Sequence, residues 1–125
     1  LEFGQIHHLE FYVSDLQKSN DFWSWFLPSL GYEKFQEFDQ GISWVHKSGT
    51  YIVFVQVNDR YLNAQVTRQA KGLNHLAFVG RSQTHLNELH ASLLLRKLKI
   101  IYNREGYLCF EDPNEFAVEV YAATP

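Results

Sequence analysis

The chain holds 125 residues, with 11 Lys and Arg against 14 Asp and Glu, a formal charge of −3. Apolar residues make up 46% and aromatics 16%, enough to build a core and too many for a disordered segment. That charge balance offers no basic surface for a phosphate backbone, so nucleic acid is not an expected partner. No apolar run reaches the roughly 18 residues that span a bilayer, so no membrane partner is expected. Leu1 to Gln5 lacks the basic and apolar regions of a secretory leader. One cysteine, Cys109, excludes an internal disulfide and a cysteine-built zinc site. The expected setting is cytoplasmic.

Ile6 to Val13 alternates as a strand, with Leu9, Phe11 and Val13 on one face and His8, Glu10 and Tyr12 on the other. Ser14 or Asp15 caps the helix that follows, where Leu16, Ser19, Phe22, Trp23, Phe26 and Leu30 fall at helical spacing and Gly31 marks the end. Strands are expected over Glu33 to Phe38, Ile42 to His46 and Tyr51 to Val57, with turns at Asp39-Gln40-Gly41 and Lys47-Ser48-Gly49. Asn58 to Lys71 is polar and reads as a connection. The order then begins again, with a strand over Leu73 to Val79, a helix over Ser82 to Lys97 and three closing strands. The expected fold is α+β: two βαβββ repeats forming a cup-shaped mixed sheet with the helices outside. Residues 5–57 form the first module, 58–72 the linker and 73–123 the second module.

A residue-level match supports the repeat. His75-Leu-Ala-Phe78 follows His8-Leu-Glu-Phe11 by 67 residues, and Gly106 to Tyr121 lies without gaps over Gly41 to Gln56 at a spacing of 65. Taken at that spacing, the face turned from the helices holds His8, Glu10, Tyr12, Trp44, His46, Ile52, Phe54 and Gln56 in the first half. In the second half it holds His75, Ala77, Tyr107, Cys109, Glu111, Ala117, Glu119 and Tyr121. Two histidines at matching places and a carboxylate on the last strand make a two-His-one-carboxylate set. Such a set leaves open positions on one divalent Fe, Mn, Ni, Co or Zn ion for water and substrate.

Three runs carry a family resemblance: His7-His8-Leu-Glu-Phe-Tyr-Val-Ser-Asp-Leu continuing to Leu30-Gly31-Tyr32, Leu73-Asn-His75-Leu-Ala-Phe78, and Phe110-Glu-Asp-Pro113-Asn-Glu-Phe-Ala-Val-Glu119. Together they resemble the vicinal oxygen chelate superfamily of glyoxalases, fosfomycin resistance enzymes, epimerases, extradiol dioxygenases and bleomycin resistance proteins. The resemblance puts His8, His75 and Glu119 on the family's metal-ligand positions. Two departures stand out. Glu115 occupies the usual glycine position of the last turn, and Phe54, set opposite Glu119, cannot be a fourth ligand. Gln56, two residues on, is the remaining candidate for that role or for holding substrate.

Around this set, Glu10 sits where a carboxylate could move a proton, and His46 could serve similarly. The ordinary alternative for Glu10 is a strand carboxylate paired with an arginine. Tyr12, Trp44, Phe54 and Tyr107 are expected to line an aromatic substrate pocket or to pack as core. His85 and His90 read as surface residues of the second helix, and Cys109 as a small packing residue. Arg60, Arg68 and Arg104 are scattered and give little reason to expect a phosphonate or coenzyme A substrate. Two functions follow. One is a metal-dependent enzyme on a small oxygen-bearing molecule, by isomerase or lyase, transferase or dioxygenase chemistry. The other is a metal-independent binding protein of the bleomycin resistance type. A homodimer is expected in either case, to cover sheet edges and the aromatics Trp23, Trp25, Phe26 and Phe35.

Overall fold

In the computed structural model, which describes residues 1–124, the same five elements occur twice, once in each of two units. The first unit, residues 1–64, contains β1 (His8–Val13), α1 (Leu16–Phe26), β2 (Tyr32–Phe38), β3 (Gly41–His46) and β4 (Tyr51–Gln56). Its sheet runs in the order β1-β4-β3-β2, with β1 parallel to β4 and the other pairs antiparallel. Asp15 caps α1, its Oδ1 accepting from the Lys18 N–H at 3.1 Å. A short 3-10 turn over Leu27–Leu30 follows, and Gly31 ends it at φ 89°, where only glycine sits without strain. Ser19, Phe22, Trp23 and Phe26 form the buried stripe of α1. Trp23 stacks on Phe54 of β4 at 4.9 Å between centroids, so α1 covers the face that Phe54 occupies. Trp23 and Phe26 are core residues, 1% and 0% exposed, and are not the outer aromatics that the dimer expectation invoked.

From Gln65 onwards the second unit holds β5 (His75–Gly80), α2 (Gln83–Leu95), β6 (Ile100–Arg104), β7 (Tyr107–Glu111) and β8 (Ala117–Ala122). Its sheet order, β5-β8-β7-β6, repeats the first. Leu86, Leu89 and Leu93 are the buried stripe of α2, as the heptad-like spacing predicts. The α+β class and the doubled βαβββ order therefore stand. No helix among the described residues is long and apolar enough to cross a membrane.

The tight turn into β8 forms in spite of Glu115. That residue takes φ 69°, which costs a non-glycine side chain about 1–2 kcal/mol. Asp112 offsets that strain. Its Oδ1 accepts from the backbone N–H groups of Asn114 at 2.9 Å and Phe116 at 2.8 Å.

His85 is not on the surface; it is 3% exposed. It stands third in α2, where its own N–H bonds the Ser82 hydroxyl, and its Nδ1 accepts from the Arg81 N–H at 3.0 Å. The imidazole thus reaches back past the Ser82 cap to the residue before it, and this bond requires an unprotonated Nδ1. Burial, reinforced by the Arg81 charge and opposed by Glu88, lowers the His85 pKa below the ordinary 6.5. The unfolded chain therefore takes up a proton near pH 6.5 that the folded chain refuses. Stability is complete above that value and falls as pH drops towards the lower folded pKa. Urea midpoints at pH 7.5 and 5 should diverge less in His85→Gln, whose amide oxygen accepts the same bond without titrating. An unchanged divergence would assign the acid sensitivity to other groups.

Candidate functional site

Strand pairing decides which side chains share a face, because directly paired residues point the same way. In the first unit His8 pairs Tyr51, Glu10 pairs Val53 and Tyr12 pairs Val55, while Leu9 pairs Ile52 and Phe11 pairs Phe54. On the other side of β4, Phe54 pairs Ile42 and Ile52 pairs Trp44. Trp44, His46, Ile52, Phe54 and Gln56 thus lie on the α1 side of the sheet, opposite to His8, Glu10 and Tyr12. This corrects the gapless match. Tyr121 pairs Tyr107 across β8 and β7 just as Val55 pairs Gly41, so the two units are related at a spacing of 66 in these strands and not 65. Val53, not Phe54, is the counterpart of Glu119. Neither residue offers a ligand atom.

The consequences are concrete. Phe54 is 1% exposed and Trp44 7%, both in the core. Gln56 clasps the start of α1, its Oε1 accepting from the Leu16 N–H at 2.8 Å and its Nε2 donating to the Ser14 carbonyl at 2.7 Å. Both ends of its amide are therefore engaged. His46 stands beside Tyr32 at 5.0 Å and contacts the Ser48 hydroxyl through Nδ1 at 2.8 Å, so it does not share a face with Glu10. His8 lies flat on the Tyr51 ring, 4.7 Å between centroids and 5° between planes, and its Nδ1 meets that of His7 at 2.9 Å. Glu10 and Tyr12 stand exposed on the same face.

In the second unit the expected face forms as predicted. His75 pairs Ala117, Ala77 pairs Glu119, and Cys109 pairs Glu119 from the other side. Glu119 is the centre of this face. Its Oε2 accepts from the Tyr107 hydroxyl at 2.8 Å and its Oε1 from the Tyr121 hydroxyl at 3.1 Å. His75 Nε2 stands 3.4 Å from Oε1, with side-chain exposures of 41% for His75 and 13% for Glu119. Burial and the adjoining Glu119 carboxylate push the Tyr107 phenol well above its usual pKa, so it remains a donor. Burial raises the Cys109 thiol also, which makes it an inert packing residue. Arg68 is held at 3.0 Å by Glu111, while Arg104 lies over the rings of Tyr102 and Tyr107. Both cations already have partners.

The His75–Glu119 pair suits a metal ion. Two donors on one ion, each about 2.0–2.2 Å from it, stand roughly 3–3.5 Å apart, and the pair meets that separation. Neither unit by itself gathers three His, Cys, Asp or Glu side chains among the described residues. His8 belongs to the first unit, His75 and Glu119 to the second. Signals for the phenol pair were present in the sequence, since Tyr107, Glu119 and Tyr121 share one parity, but only the pairing of β7 with β8 brings them together.

No family model matches the chain. It is 37% identical to the uncharacterized protein YqjT of Bacillus subtilis (strain 168), over 94% of this chain and 98% of that one. Among solved structures, a candidate glyoxalase from Bacillus halodurans is 38% identical, with a TM-score of 0.88 and 96% of each chain covered. A variant of the fosfomycin resistance protein FosX of Listeria monocytogenes, complexed with Mn(II) and 1S,2S-dihydroxypropylphosphonic acid, shares the fold. Its TM-score is 0.71 at 15% identity, covering 98% of this chain and 95% of that one.

Proposed function

The chain belongs to the vicinal oxygen chelate superfamily, and we propose that it is a divalent-metal-dependent enzyme acting on a small oxygen-bearing molecule. The observation that carries this reading is the His75–Glu119 pair at 3.4 Å, with both carboxylate oxygens oriented by phenols. His75 and Glu119 would hold the ion, with His8 the third ligand that the family resemblance implies. The large apolar side chains left exposed, Tyr12 and Val79 among them, support a homodimer. A bound ion supplies Lewis acidity towards a chelated substrate oxygen. Glu10, on the His8 face, is the residue that moves the proton; Tyr12 and Tyr107 line the substrate. Fe, Mn, Ni, Co and Zn all accept this donor set, and a FosX neighbour holding Mn(II) supports the class. Isomerase or lyase, transferase and dioxygenase chemistry share this framework, and the reading places the protein in the cytoplasm.

The reading predicts about one transition-metal ion per chain after purification without chelators, and at least a tenfold loss in His75→Ala, Glu119→Gln and His8→Ala, read by elemental analysis. A wild-type chain that retains none and binds none on titration with these five ions would overturn it. One observation favours the second reading, a metal-independent binder. A cavity of about 390 Å³ in the first unit is lined by Tyr12, Val57, Asn58 and Tyr61, a setting for a planar apolar compound. A ligand-induced thermal shift that survives Glu119→Gln would select the binder.

A further inference from the structure

The two ligand candidates of the second unit each rest on a neighbour of defined hydrogen-bonding sense. Asn74 Nδ2 donates to the Arg68 carbonyl at 3.1 Å. A carbonyl oxygen can only accept, so this bond sets the amide the one way round and turns Oδ1 towards His75. That oxygen meets His75 Nδ1 at 2.8 Å and likewise can only accept. The proton of the neutral imidazole is therefore on Nδ1, and Nε2 presents its lone pair on the side where Glu119 stands. At 3.4 Å from a carboxylate oxygen, that lone pair faces negative charge, which either a proton on Nε2 or a cation between the two groups relieves. Glu119 is fixed with equal economy. Tyr107 donates to one oxygen and Tyr121 to the other, so the carboxylate plane cannot rotate without breaking one of two bonds.

We propose that Asn74, Tyr107 and Tyr121 are positioning residues: Asn74 selects the His75 tautomer and the two phenols lock the Glu119 carboxylate, so that one nitrogen and one oxygen are presented together to a divalent ion. The proposal rests on the metal reading above. Such outer partners raise ligand basicity and remove the entropy of orienting the ligand, and their loss weakens metal binding by roughly 10- to 100-fold. Each of the three bonds a ligand candidate directly, and none is assigned a contact with the ion.

Co(II) titration of the full chain tests this, read by calorimetry and by the visible d–d absorption of the bound ion, with circular dichroism to confirm folding. Asn74→Ala should weaken Co(II) binding at least tenfold. Asn74→Asp, which keeps the accepting oxygen, should return it to within a few-fold of wild type. A merely structural role for Asn74 predicts no such rescue. Tyr107→Phe combined with Tyr121→Phe, which keeps both rings, should weaken binding by a similar factor and shift the absorption band. If these variants bind as wild type does while Glu119→Gln and His75→Ala lose the ion, the positioning role is overturned and the metal reading survives. If Glu119→Gln and His75→Ala also bind normally, or the wild type binds neither Co(II) nor any of the other four ions, the metal reading fails and the positioning role with it.

Discussion

Phe54→Ala is expected to cost about 3–5 kcal/mol of folding stability, read as a lowered urea midpoint at unchanged slope. The side chain is 1% exposed and stacks on Trp23 at 4.9 Å and on Phe11 at 6.0 Å. Removing it leaves a cavity between α1 and β4 that the surrounding aromatics can close only in part. Tyr12→Ala is the control: at 61% exposure it should cost under about 1 kcal/mol. The comparison separates two pictures of the first sheet. Were Phe54 a pocket-lining residue on the His8 face, its loss would be nearly as mild as that of Tyr12. A Phe54→Ala penalty below about 1 kcal/mol would return the sheet to that earlier picture.

The element order, a cap for α1 at Ser14 or Asp15 and the Leu86–Leu89–Leu93 stripe were all legible, because each rests on local chemistry at fixed spacing. The faces of β5 and β8 were legible too. His75 and Glu119 are polar residues in otherwise apolar alternation, so parity has one reading. The first unit gave no such contrast. Ile42, Trp44, Ile52 and Phe54 line one side of β3 and β4, while Val45, Val53 and Val55 line the other. With apolar residues on both faces, a one-residue slip leaves the pattern intact and inverts every side chain. The same blindness applied to His85. An imidazole third in a helix reads as polar surface unless the backbone N–H of Arg81, bonded to it from outside the helix, is known to need an acceptor.

Asp112→Ala is expected to cost about 3 kcal/mol or more and to weaken the candidate metal site as well. The side chain is 3% exposed and receives three hydrogen bonds: the Asn114 and Phe116 backbone N–H groups on Oδ1 and the Asn114 amide on Oδ2. Alanine strands those two backbone donors in a turn that already holds Glu115 at φ 69°. Asp112 and Phe116 are further tied through the Asp112 N–H and the Phe116 carbonyl at 3.0 Å, one residue before β8 begins. The turn therefore sets where β8 starts, and with it whether Glu119 meets Cys109 and Ala77 on the exposed face or turns into the core. Urea denaturation reads the stability loss, and Co(II) titration under native conditions reads the effect on Glu119. Asp112→Asn retains an accepting oxygen and should recover most of both. A stable Asp112→Ala protein with unaltered Co(II) affinity would show that strand pairing alone, without the turn, holds Glu119 in register.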